Sequence, residues 1–264
     1  MDFKYILYSL VVIVVFSSCK ETETAPHSTD RLTITDDCNI GNYIDVYIQN
    51  KADTCDDLTI LSNSRYAPVY NYIDKQKDKI LASGVIKSPD TWKWTIRIFD
   101  QAKVEHAFVS PGGYIYLSKG LLLTLHSEAE LIAILAQAMI NIDRRYASKK
   151  LESSHSFNQL AEISLGGSTN KIPSLLAEVK ENPYALRVVE DIEREVQNLM
   201  CTLDYNIRYY STFIVNTSPE TEWRQLYPNY DNRVEVLSNQ TNTDACLGRK
   251  SGQSVYKRIK SLCD

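Results

Sequence analysis

The chain has 264 residues, of which 44% are hydrophobic and 23% charged, and a formal net charge of −4. That length supports one sizeable core, or one core with additions, once an N-terminal signal is set aside. No basic cluster stands out, which argues against nucleic acid as a partner, and past the first apolar run no segment approaches the length of a membrane span.

Residues 1–19 read as a targeting signal. Lys4 precedes an apolar run of 12 residues, Tyr5–Phe16, which is too short for a permanent span. Phe16-Ser17-Ser18-Cys19 is similar to a lipobox, so Cys19 is the expected lipidation site and the lipid is the expected sole membrane attachment. The expected location is the bacterial cell envelope, lipid-anchored at the outer membrane on its periplasmic or surface face. Residues 20–58 are expected to form a tether and a small N-terminal cap, and 59–264 the main domain. Cys38 and Cys55 lie 17 apart, as do Cys246 and Cys263. Two local disulfides are the natural expectation for an exported protein, with Cys201 left as a buried thiol in a helix, although other connectivities stay open.

Further along, Tyr66, Val69, Tyr70, Ile73, Ile80 and Leu81 recur with near-helical spacing and predict a helix over 65–83. Residues 92–99 alternate, with Trp92, Trp94, Ile96 and Ile98 on one face, and predict a half-buried strand. A second strand is predicted over 103–109, joined to the first by a hairpin at Asp100-Gln101-Ala102. Pro111-Gly112-Gly113 supplies a sharp turn into a third strand at Tyr114-Ile115-Tyr116. A long helix follows, over about 127–146. Ser127 and Glu130 form a capping box at its start, and Leu131, Leu135, Ala138 and Ile142 make a buried stripe. Gln137 and Asn141, four apart, share another face. Residues 148–182 read as an irregular or partly helical insertion, and helices are predicted over 183–204, 207–214, 233–238 and 254–261. The class is α+β and helix-rich, with one small sheet.

The run from Ala107 to Ala136 resembles the core of the HtpX, BepA and CAAX-prenyl-protease group of zinc metallopeptidases. Its carriers are Ala107-Phe108, Pro111-Gly112-Gly113, Gly120-Leu121-Leu122 and Glu128-Ala129-Glu130-Leu131. The resemblance implies a minigluzincin-type domain whose small, antiparallel-containing sheet packs on the motif helix. It implies that Gln137 and Asn141 stand where two metal-binding His belong, that Ala138 stands at the catalytic Glu, and that Glu193 matches the third ligand. Gln197 falls at an Asp that orients a ligand, Tyr227 at a His that precedes Pro228, and Arg233 at a kept Arg. His106 takes the place of an Asn in the cleft.

Amide oxygens are poor ligands for Zn²⁺, and Ala138 has no basic atom. No zinc is therefore expected, and the chain is expected to be catalytically inactive while still binding a peptide or an envelope protein along the old substrate cleft, where main-chain pairing needs no metal. The alternative is an active zinc metalloendopeptidase with a rebuilt site, His106 being the candidate to join Glu193.

Overall fold

The computed structural model describes residues 32–52, 58–227 and 248–263. At its centre is the long helix that the capping box predicts. With its label taken from chain order, this is α4, Glu128–Asp143, and every residue from Ala129 to Ile142 is buried. A helix apolar nearly all round, as Leu131–Ala136 is, has to be enclosed on all sides. Ser127 Oγ accepts from Glu130 N at 3.2 Å, and the Glu130 carboxylate reaches back to the His126 N–H, which closes the box.

Before it come α1 (Ile34–Ala52), α2 (Ala67–Leu81), the strands β1 (Thr95–Phe99), β2 (Ala107–Ser110) and β3 (Tyr114–Ser118), and the short α3 (Lys119–Thr124). After it come α5 (Tyr146–Ser154), α6 (Phe157–Ser164), α7 (Ile172–Glu181), α8 (Leu186–Thr202), α9 (Ile207–Asn216), α10 (Glu222–Leu226) and α11 (Gln253–Lys260). The architecture is α+β and helix-rich, with a three-stranded mixed sheet. The region expected to be irregular holds three short helices, α5, α6 and α7, of which α6 is capped by Ser156, whose side chain accepts from Gln159 N.

The sheet order is β1-β3-β2, with β1 parallel and β2 antiparallel to β3. The predicted hairpin between β1 and β2 is therefore not formed. Instead, the 100–106 connection crosses the end of β3. Gln101 O accepts from Gly120 N at 2.8 Å, and Val104 O accepts from Ser118 Oγ at 2.5 Å. Gly120 permits this approach, since a Cβ there would sit 2.2 Å from Val104 O. The Pro111–Gly113 turn then closes the β2–β3 hairpin, with Gly112 at φ 79° and Gly113 at φ 102°, a conformation that suits glycine.

The stretch read as a tether and cap is, from Ile34 onward, the 19-residue helix α1. Ile40, Ile44 and Ile48 are fully enclosed in the common core. Asp45 receives two bonds from Arg97 of β1, at 3.1 and 2.7 Å, and one from Tyr116 OH of β3, at 3.3 Å. Asp45, within the stretch expected to form a tether and cap, thus faces inward to partners. The cysteine assignment also changes. Cys38 and Cys201 each belong to a disulfide, so Cys201 is not the lone thiol expected, whereas Cys263 is a buried thiol with Sγ 3.6 Å from Ile259 O. The expected Cys246–Cys263 pairing is thereby overturned, because Cys263, buried in the turn after α11, is not in a disulfide. Cys19, Cys55, Cys246, Arg233 and the helix predicted over 233–238 lie outside the described residues. Among the described residues no helix is long and apolar enough to cross a membrane.

Candidate functional site

Gln137, Ala138 and Asn141 lie within α4, at 1%, 5% and 0% exposure. The helix packs here against α8 and α9, which bring up Glu193, Gln197 and Tyr210, all buried. The structure therefore gathers the positions that the resemblance singles out. What surrounds them is protein. The Trp223 indole N–H of α10 donates to Gln137 Oε1 at 3.0 Å, and Asn141 Nδ2 lies 3.4 Å from Tyr227 OH. Tyr210 OH donates to Glu193 Oε1 at 2.9 Å.

Aromatic rings fill the space between these polar groups. Phe213 and Trp223 are 5.1 Å apart between centroids, Trp223 and Tyr227 6.2 Å, and Tyr227 and Tyr184 5.3 Å. Burial pushes the Tyr184 hydroxyl well above its usual pKa, and the neighbouring Tyr227 adds to this. Backbone bonds hold the aromatic segment in place. Trp223 N donates to Glu105 O at 3.2 Å, and Tyr184 N to Leu226 O at 2.9 Å. The Arg224 guanidinium donates to Thr217 O.

His106, just before β2, takes a different environment. It is 3% exposed and stacks on Phe108 at 5.3 Å, with Nε2 3.8 Å from the Glu222 carboxylate. Burial, reinforced by the charge of Lys180, depresses its pKa to about 3. These neighbours come from β2, α10 and α7, none from α8. The structure thus supplies no link from His106 to Glu193.

The donor set at the site does not fit zinc. It offers one carboxylate, two neutral amides and a methyl group, and the Gln137 amide oxygen already accepts from an indole N–H. Zn²⁺ favours imidazole, thiolate and carboxylate in a tetrahedral set with one open position. Among the described residues no group of three or more His, Cys, Asp or Glu is arranged to hold a metal ion.

Sequence reasoning named Tyr227 but missed Trp223, Tyr210 and Tyr184, which pack around Gln137, Asn141 and Glu193. Trp223 carried a signal, since it precedes Tyr227 by four residues and so shares a helix face with it. Tyr184 and Tyr210 carried none, because only the approach of α7, α8 and α9 to α4 gives them their roles.

The family model for Peptidase family M48 matches residues 71–137. The matched span covers most of α2, the whole sheet, the Pro-Gly-Gly turn and α4 as far as Gln137. Over that stretch, about a quarter of the chain, the sequence is similar to metallopeptidases of this family. A search of curated proteins finds none that matches it.

Proposed function

We propose that this chain is a catalytically inactive member of the metallopeptidase-like class, attached to the cell envelope through a lipid on Cys19 and used to bind a peptide or an envelope protein. The bond from Trp223 Nε1 to Gln137 Oε1 carries the loss of activity. At the position where a peptidase of this type presents a metal ligand, the side chain is an amide oxygen already taken by an indole N–H inside the core. A general base alone supplies roughly 10²–10⁴-fold, and position 138 carries none.

The binding surface is narrower than an open cleft along β2. Ala107–Ser110 are all buried, and α7 and α10 pack against that strand. Space remains at its leading end, in a groove of about 260 Å³ lined by Lys103, Val104, Glu105, Ser218, Glu220 and Glu222, among others. Three carboxylates against one lysine favour a polar or basic peptide segment there.

Two measurements test the two halves separately. Zinc content of the purified chain, loaded with zinc and then dialysed, is expected below about a tenth of an equivalent. A stoichiometric ion lost on changing Glu193 would restore the peptidase reading. For binding, photo-crosslinking from position 103 in the full chain should trap a peptide or partner, and adding free basic peptide should abolish the crosslink. An absence of crosslinks from 103 and 220 alike would remove the groove from consideration.

A further inference from the structure

We propose that the outer face of α11, together with Arg249 and Lys250 that lead into it, is a contact surface for anionic lipid headgroups. The inference is independent of the groove and stands on two observations, one of charge and one of shape. Residues 248–263 hold five cations, Arg249, Lys250, Lys257, Arg258 and Lys260, and no acid, in a chain whose net charge is −4. Lys257 and Arg258 are exposed. Arg249 lies 3.4 Å from Asp204, which is itself on the surface.

The shape is that of a ridge. Val255 and Arg258 stand at i and i+3 and so share one side of the helix, and Leu262 follows in the turn just past its end. Val255 is 48% exposed and Leu262 45%. The opposite side seats the helix. Tyr256 is buried, with its hydroxyl donating to Leu122 O at 2.8 Å. Ser251 O accepts from Ala129 N at 3.1 Å, which ties the start of α11 to the first turn of α4. The ridge is thus fixed to the rigid centre of the fold and cannot fold away.

Aliphatic side chains interleaved with cations on a convex helix suit a lipid surface. The cations meet phosphates while the aliphatic tips reach the acyl boundary. A charge of −4 on the whole chain turns the remaining, acidic surface away from an anionic bilayer, so this face is the one presented. One such ridge is a weak attachment by itself. It gains effect when another attachment already holds the chain at the membrane.

The test reads α11 directly, so that an N-terminal lipid does not mask it. Full-length protein is mixed with excess vesicles of phosphatidylcholine alone, or of phosphatidylcholine with phosphatidylglycerol. Acetylation rates of individual lysines are then followed by mass spectrometry. Lys257 should react about fivefold more slowly on the anionic vesicles, and added salt should erase the difference. Lys93 and Lys149, both exposed elsewhere, serve as internal references and should not change. R258E and the pair V255S and L262S should each reduce the protection, with unchanged near-ultraviolet circular dichroism as evidence that the fold is kept. Equal rates at Lys257 on both vesicle types overturn the proposal. So does protection at Lys257 that appears only with a soluble acidic protein, which would assign the face to a protein partner. Flotation on phosphatidylcholine vesicles reports the Cys19 attachment separately.

Discussion

Two buried ionisable residues set opposite pH dependences. His106 has a folded pKa of about 3, against 6.5 for the ordinary group, because burial disfavours its charged form. Its contribution to stability is present above about pH 6.5 and is lost as the pH falls toward 3. At pH 5 the loss amounts to about 2 kcal/mol. His106→Phe keeps the stacking on Phe108 and cannot titrate. Urea unfolding of this variant should show that much less destabilisation between pH 7 and 5 than the parent. Asp37 behaves in the reverse sense. Burial raises its pKa to about 6, against the pull of Arg145, whose Nε lies 2.7 Å away. The folded state therefore favours the protonated form, and this contribution is full below about pH 4 and lost as the pH rises through 6. Relative to Asp37→Asn, the parent should gain about 2.4 kcal/mol on going from pH 7.5 to 4. A parent-to-variant difference that is flat with pH would show that the Arg145 pairing outweighs burial. At the centre of the site, Trp223→Phe removes the donor to Gln137 Oε1 and leaves that buried oxygen unpaired, at a cost of about 1–3 kcal/mol in chemical denaturation.

At the scale of elements, α1 belongs to the core and holds the β2–β3 turn in place. Gly41 is the contact point. A Cβ there would lie 1.9 Å from Pro111 O and 3.0 Å from the Tyr114 ring. Gly41→Ala forces α1 off the Pro-Gly-Gly turn, and the partner atoms are backbone, which cannot move aside cheaply. The change should lower stability by several kcal/mol, about 3 or more on the scale of overpacked cores with backbone clashes. A melting temperature within a few degrees of the parent would mean that α1 docks more loosely than its enclosed isoleucines indicate. The same helix shows where sequence reading went astray. The stretch over 20–58 read as a tether and small cap, yet Asp37 and Asp45 within it each find an arginine, one from the α4–α5 junction and one from β1. Both partners are more than fifty residues away, and a local reading has no means of supplying them.

For the whole molecule, the decisive relation is between α4 and the residues brought against it from the C-terminal half. Installing a His-Glu-x-x-His pattern by Gln137→His, Ala138→Glu and Asn141→His together should not produce a zinc enzyme. Trp223 and Tyr227 would still fill the space the metal and its water need. Zinc content should stay below about a tenth of an equivalent, and hydrolysis of an unfolded casein substrate should stay at background. Stoichiometric zinc in that variant would show that the aromatic residues yield readily, and that the exchanged residues alone keep the metal out. Adding Trp223→Ala to the triple change opens the space, at a stability cost of about 3–5 kcal/mol.

Local chemistry was enough to read much of this protein. The period of Leu131, Leu135, Ala138 and Ile142 with the Ser127–Glu130 box located α4, alternation located β1, and Pro-Gly-Gly located the β2–β3 turn, because each is a property of neighbouring residues. That positions 137, 138 and 141 carry no imidazole or carboxylate was equally legible, since this is a matter of residue type. Tertiary structure decided the rest. It placed β3 between β1 and β2, because Gly120 lets the 100–106 connection cross the end of β3. It drew α1 into the core through partners distant in sequence. It also enclosed Gln137 and Asn141, because the groups that pack beside them, Trp223, Tyr227 and Tyr184, meet α4 only after some forty or more intervening residues have folded back on it.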